Sequence, residues 1–161
     1  MRYIYTVIKF LIYRSKLKKY LLDSNNKSFA KITDINVKDL RKNKVQLLVL
    51  DFDGVLNSHG EPNPTIEAKK WIVDILSELT SLKVCILSNK PDPERLQYFS
   101  YVLPTVHVVR AKKKKPYSDG LQKIEEIARI KKENTLVVDD RLATGILAAE
   151  IFGCKAFYIN K

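Results

Sequence analysis

Val45-Gln46-Leu47-Leu48-Val49-Leu50-Asp51-Phe52-Asp53-Gly54-Val55-Leu56 is the stretch from which the fold is read. A short apolar, uncharged run reads as a strand covered on both faces, as inside a parallel sheet. It stops at two carboxylates one residue apart. Side chains i and i+2 of an extended segment leave on the same side, so Asp51 and Asp53 are expected to converge at the strand's carboxyl end. Converging carboxylates repel, and a cation or a shared proton between them removes the repulsion. Gly54 then offers a backbone that can approach a ligand or take positive φ.

Outward from this run, apolar segments alternate with helical ones. Lys83–Leu87, Val106–Val109, Thr135–Val138 and Ala156–Ile159 read as four further strands. A short helix is expected near Val37–Arg41, ahead of the first strand. Thr65 caps a second helix whose inner face is Ile66, Trp71, Ile72, Ile75, Leu76 and Leu79. Asp92-Pro93 opens a third, with proline at its first position. The next is capped near Ser118, with Leu121, Ile124, Ile127 and Ala128 inward, and a small-residue helix runs to Gly153. Asp23–Lys27 reads as a polar turn and Asn57–Pro64 as a projecting loop. Alternation of this kind predicts an α/β, Rossmann-like, three-layer fold around a central, mainly parallel five-stranded sheet. Ligands bind such sheets beyond the carboxyl ends of the strands. Asp51/Asp53, Ser88/Asn89, the lysine run at 112–115 and Asp139/Asp140 would then share one rim.

Charge is unevenly placed along the chain. The net value is +11 over 161 residues, but residues 1–50 hold twelve Lys/Arg against three Asp/Glu, a local +9, and the rest carry +2. The basic character therefore belongs to the N-terminal part and predicts an anionic partner, a membrane surface or nucleic acid. In residues 1–22, Ile4, Val7, Ile8, Leu11 and Ile12 fall at helical spacing among Lys9, Arg14, Lys16, Lys18 and Lys19. This pattern suits a helix lying in a bilayer interface or one packed on the domain. Cys85 and Cys154 lack metal-ligand spacing and read as buried free thiols. No apolar run reaches the ~18 residues of a spanning helix, and no signal-peptide pattern is evident. A cytoplasmic location, peripheral at a membrane, is the expectation.

The rim has the parts that phosphoryl transfer needs: a nucleophile, a proton donor and positive charge for the phosphoryl oxygens. Asp51 would attack phosphorus to give an aspartyl-phosphate. Asp53 would protonate the leaving oxygen and then activate water. Mg2+ would be held by Asp51, the Asp53 backbone carbonyl and an acidic residue from the fourth strand. Ser88, with neighbouring backbone amides, would bind a phosphoryl oxygen, and a lysine would neutralise another. Asn89 and Arg141 read first as loop-orienting residues and second as substrate contacts. His59 reads as a solvated loop histidine, His107 as an ordinary strand histidine, and Trp71 as core.

The ordered set Asp51-Phe52-Asp53-Gly54-Val55, Leu87-Ser88-Asn89, Lys115-Pro116 and Val137-Val138-Asp139-Asp140 resembles the haloacid dehalogenase (HAD) superfamily of aspartyl phosphatases. The resemblance spans residues 45–160. It implies Asp51 as nucleophile, Asp53 as acid/base, Ser88 as phosphate ligand and Lys115, the lysine before proline, as charge stabiliser. It favours Asp140 over Asp139 as the metal ligand of the fourth motif. Gly54, Ser88, Asn89 and Lys115 form the candidate substrate-binding set. The gaps between motifs hold only loop and helix, so the chain resembles the capless class III members, whose open sites accept substrates on large carriers.

Phe29–Arg41, Val84–Asn89 and Leu142-Ala143-Thr144 are further similar to the class IIIA phosphatidylglycerophosphatase-like group. Two differences stand out: that group usually has Asp-Leu-Asp-Asn-Thr in motif one, and an aspartate where this chain has Gly145. The division implied is a basic extension over 1–28 and a phosphatase domain over 29–161. The expected activity is magnesium-dependent phosphomonoester hydrolysis, with phosphatidylglycerophosphate the favoured substrate. A nucleic-acid or protein phosphatase with the same chemistry is the alternative, as is a non-catalytic module binding membrane or nucleic acid.

Overall fold

A computed structural model describes residues 1–22, 27–89 and 92–160. Most of the turn expected at 23–27, and Lys90 after the second predicted strand, lie outside the described residues. Helix α1 (Arg2–Leu21) is followed by β1 (Ser28–Phe29), α2 (Val37–Lys42), β2 (Leu47–Leu50), α3 (Ile66–Glu78) and β3 (Lys83–Ser88). Then come α4 (Pro93–Val102), β4 (Val106–Arg110), α5 (Asp119–Ala128), β5 (Thr135–Asp139), a π-helical turn (Leu142–Ile146), α6 (Leu147–Phe152) and β6 (Lys155–Ile159). The six strands form one sheet in the order β1-β6-β5-β2-β3-β4, and every pairing is parallel. Five strands were expected. The sixth is the two-residue β1, too short to carry a hydrophobic period, and it exists because β6 offers it an edge.

Strand parity divides the core into two layers. Leu48, Leu50, Val84, Ile86, Leu136 and Val138 face α2, α3 and α4, where Leu40, Ile72, Ile75 and Phe99 are buried. Leu47, Val49, Cys85, Leu87 and Val137 face the other way, onto Leu121, Ile124, Leu147 and Ala148, and onto Leu17 and Tyr20 of α1. Alternate side chains leave a strand on opposite faces, so a wholly apolar strand such as β2 must be covered twice. Trp71 is core, as its spacing suggested, and its indole N–H donates to the Ile35 carbonyl at 2.7 Å.

Capping follows the sequence in two of three cases. Thr65 accepts from the Ala68 amide and Asp92 from the Glu94 amide. Ser118 occupies the cap position of α5 but makes no capping bond. Between consecutive rim strands lie only loops and single helices, with no inserted domain among the described residues.

Strand order places the site. The chain runs from β2 outward through β3 to β4, then returns to the other side of β2 as β5. The crevice where strand order reverses is where open parallel sheets bind ligands. Here it lies between the carboxyl ends of β2 and β5. Leu50 is in register with Val138, and the Asp51 amide donates to the Val138 carbonyl at 2.9 Å. That register sets Asp51 beside Asp139.

Candidate active site

Four rim segments meet at a cavity of about 180 Å³ lined by Asp51, Asp53, His59, Ser88, Asn89, Lys115, Asp139, Arg141 and Thr144. A larger hollow of about 720 Å³ runs from Lys31 past the turn at 54–58 to Trp71, but it contains none of the rim carboxylates. The chemistry belongs to the smaller cavity.

Its centre is a buried lysine between two carboxylates. Lys115 is only 5 % exposed; its ammonium donates to Asp51 Oδ1 at 2.7 Å and to Asp139 Oδ2 at 2.6 Å. Burial alone would lower the lysine's affinity for its proton. The carboxylates of Asp139 and Asp51 outweigh it and hold Lys115 charged. Asp51 is pushed up to about 6 by burial, Lys115 opposing and Asp139 adding to the rise. The lysine is held in place by Asn89, whose side-chain oxygen accepts from the Lys115 amide at 3.0 Å. Lys112, Lys113 and Lys114 are exposed, and the Lys115–Pro116 peptide is cis.

Asp51, Asp139 and Asp140 each offer an oxygen within 4.8 Å of the others, a grouping able to hold a metal ion. Asp139 already accepts from Lys115 on Oδ2, and from the Arg141 amide on Oδ1 at 2.9 Å. Asp140 faces the loop after β2, with Oδ2 3.6 Å from His59 Nε2; the His59 ring is half exposed. Two glycines make room for these acids. A Cβ on Gly54, where φ is +83°, would lie 1.8 Å from Asp140 Oδ2, and one on Gly145 would lie 1.8 Å from the Asp139 carboxylate. With Asp139 as it stands, the aspartate usual in the resembling group has no room at Gly145.

Asp53 differs from expectation. β2 ends at Leu50, so the two-residue repeat of an extended strand does not reach Asp53. Its side chain is not part of the three-acid cluster. Instead it forms a two-pronged ion pair with Arg95, at 3.1 and 3.3 Å, and accepts from the Gly60 amide at 3.3 Å. Burial works to raise its pKa, but the Arg95 hydrogen bonds and charge win, and it stays below the usual carboxylate range.

Arg95 is the residue that the sequence reading missed. Its side chain is 4 % exposed against 35 % for Asp53. It also donates to the Glu61 carbonyl at 2.9 Å and lies 3.5 Å over the Phe52 ring. The signal was its position: a cation in the first turn of α4 opposes the helix dipole. That turn follows β3, so it lies at the rim, where a carboxylate could compensate it.

Ser88 is buried at the end of β3 and lines the cavity. Of the sequence-derived set, Asp51, Asp53, Ser88, Asn89, Lys115 and Asp139 all line it. Asp140 joins through the acid cluster, and Gly54 abuts Asp140.

Residues 7–161 match the family model described as mitochondrial PGP phosphatase. The chain is also 28 % identical over 132 residues to a Bacillus subtilis (strain 168) protein described as probable phosphatase YqeG, a match covering 81 % of this chain and 72 % of that protein. No solved structure matches it. A parallel α/β sheet with an acidic rim around a buried lysine, matched over nearly its whole length, identifies the chain as a phosphatase of the mitochondrial PGP phosphatase family, within the HAD superfamily.

Proposed function

We propose that the rim hydrolyses a phosphomonoester in two displacements at Asp51. An Asp51 oxygen attacks phosphorus, the bond to the leaving oxygen breaks, and Asp53 supplies that oxygen's proton. Asp53, again a carboxylate, then takes a proton from water, whose oxygen attacks the aspartyl-phosphate, releasing phosphate and restoring Asp51. Arg95 holds the Asp53 carboxylate toward the cavity and favours the base form of the second step; for the first step Asp53 must carry a proton, which it regains from water in each turnover. Lys115 lies against the attacking carboxylate and offsets charge on the phosphoryl group. Ser88 lies where it can donate to a phosphoryl oxygen.

The donor set at the centre supports a divalent cation. Asp51, Asp139 and Asp140 bring carboxylate oxygens within 4.8 Å of one another. Oxygen-only donors at this spacing suit Mg2+. Asp51, Asp140 and the Asp53 backbone carbonyl would hold it, with Asp139 committed to Lys115. When bound, the ion neutralises the phosphoryl oxygens that would otherwise repel Asp51.

The observation that carries this reading is Lys115 bridging Asp51 and Asp139 beside Asp140. Among the described residues no cap covers the rim, which suits a phosphate on a large carrier, and the family description makes phosphatidylglycerophosphate the first candidate. The test is phosphate release from 4-nitrophenyl phosphate with Mg2+ or chelator, and with Asp51→Asn. Release should require the metal and vanish in the variant; turnover that persists in Asp51→Asn would overturn the mechanism. Parallel assays on phosphatidylglycerophosphate, DNA 3′-phosphate and a phosphoprotein decide the carrier, and preference for DNA would overturn the lipid assignment.

A further inference from the structure

Helix α1 runs along the domain from rim to base. At its start, Arg2 Nε donates to the Lys115 carbonyl at 3.0 Å, and the Tyr5 ring stacks on Tyr117 at 4.3 Å. At its far end, Tyr20 Oη donates to Glu150 at 2.8 Å, in the α6 helix leading away from the rim. The inner face is thus committed to the domain. The outer face is not: Tyr3, Ile4, Val7, Ile8, Leu11 and Ile12 are 51–81 % exposed. At 100° per residue these positions fall within roughly half the helix circumference. Arg14, Lys18 and Lys19 continue that outer surface and are exposed.

A second basic group, distant in sequence, lies beside the first turns. Lys113 Nζ sits 5.2 Å over the Tyr117 ring, the ring on which Tyr5 stacks. The Lys113 amide is fixed by Asp119 Oδ2 at 2.8 Å. Lys113 is thereby tied through Tyr117 to the start of α1, next to the apolar strip; Lys112 and Lys114 are its exposed chain neighbours, and the next residue is the lysine of the site. Six exposed apolar side chains edged by lysines from two segments form a mixed surface. Apolar side chains enter an acyl boundary while ammonium groups meet anionic headgroups.

We propose that the outer face of α1 and Lys112–Lys114 together dock the protein on an anionic lipid bilayer, with the catalytic cavity at the edge of the docked face. A neutral surface would leave the lysines without partners, and a second copy of this +11 chain would set like charges against one another. The inference deepens the proposed lipid reading by naming the surface through which a membrane-borne phosphate reaches Lys115.

The experiment is flotation of the full chain with phosphatidylcholine vesicles, with and without about one third phosphatidylglycerol, in the absence of any phosphate substrate. Each lysine near an anionic surface strengthens partitioning about fivefold. Replacing Lys112, Lys113 and Lys114 with Ala should therefore weaken binding about 100-fold. Ile4→Glu with Ile8→Glu should abolish flotation yet retain wild-type turnover of 4-nitrophenyl phosphate, which shows that the fold is intact. Equal binding to neutral and anionic vesicles would overturn the proposal, as would full binding by the isoleucine variant. A dimer that the isoleucine variant dissociates would also overturn it, since the strip would then be a subunit interface. Vesicle binding is read without turnover, so its failure is distinct from failure of the phosphatase mechanism.

Discussion

Arg95→Met tests the arrangement around Asp53 most directly, because methionine keeps much of the buried stem and removes only the guanidinium. Four contacts disappear: two to Asp53, one to the Glu61 carbonyl, and the stacking on Phe52. Breaking a fully buried ion pair costs about 3–5 kcal/mol. Asp53 is 35 % exposed, so water can resolvate its carboxylate, which discounts the pair to about 2 kcal/mol. Loss of the cation over the ring adds about 1 kcal/mol. The sum, about 3 kcal/mol, corresponds to a Tm lower by roughly 6–12 °C for a chain of this size. Thermal and urea unfolding followed by circular dichroism measure it, with Arg95→Lys restoring part of the loss. Catalysis gives an independent reading. An alkyl phosphate needs a proton on its leaving oxygen and a 4-nitrophenyl phosphate does not, so misplacing Asp53 should slow the alkyl substrate more. Stability within about 0.5 kcal/mol of wild type, together with equal effects on both substrates, would show that Arg95 neither stabilises the fold through Asp53 nor positions it.

Three further outcomes follow from the same geometry. Lys115→Met removes the cation shared by Asp51 and Asp139 and should lower kcat about 10³-fold; a loss under tenfold on 4-nitrophenyl phosphate would exclude the role given to it. Gly145→Ala drives a Cβ into the Asp139 carboxylate and should cost about 2–3 kcal/mol along with most activity, so a variant with wild-type Tm and turnover would contradict the close approach. Burial raises Asp51 to about 6, and a carboxyl raised on folding binds its proton more tightly in the native state. In chelator, its contribution therefore increases stability as pH falls through about 6 toward the ordinary carboxylate value, and that gain is lost as pH rises. Unfolding midpoints from about pH 4.5 to 7 should show this dependence weakened in Asp51→Asn and by Mg2+; a wild-type profile that matches the variant's in chelator would count against it.

Much of the architecture could be read in the chain because apolar strands of four or five residues, punctuated by polar rim residues, admit few arrangements other than a parallel sheet covered on both faces. Asp51, Ser88 and Asp139/Asp140 could each be named because each closes or follows such a strand, so local periodicity carries them to the rim; Lys115 is singled out within the run at 112–115 by the resemblance, through the proline that follows it. Trp71 and the caps at Thr65 and Asp92 follow from helix periodicity in the same way. β1 could not be read, since two residues acquire strand geometry only from the β6 edge. Arg95 could not be assigned, since its partner is 42 residues away in sequence.

The chemical types at the rim, most of the element order and the basic, amphipathic character of residues 1–22 are legible along the chain, because all are properties of sequence neighbours. Packing alone sets which carboxylate meets which cation, Lys115 with Asp51 and Asp139 and Arg95 with Asp53, and it brings Asp140 against Gly54. It also decided that Lys113 lies beside the first turns of α1. Each of these pairings joins different segments of the chain. Register and packing fix them, and charge alone cannot, because any of these lysines and arginines would serve any of these carboxylates until the sheet sets their distances.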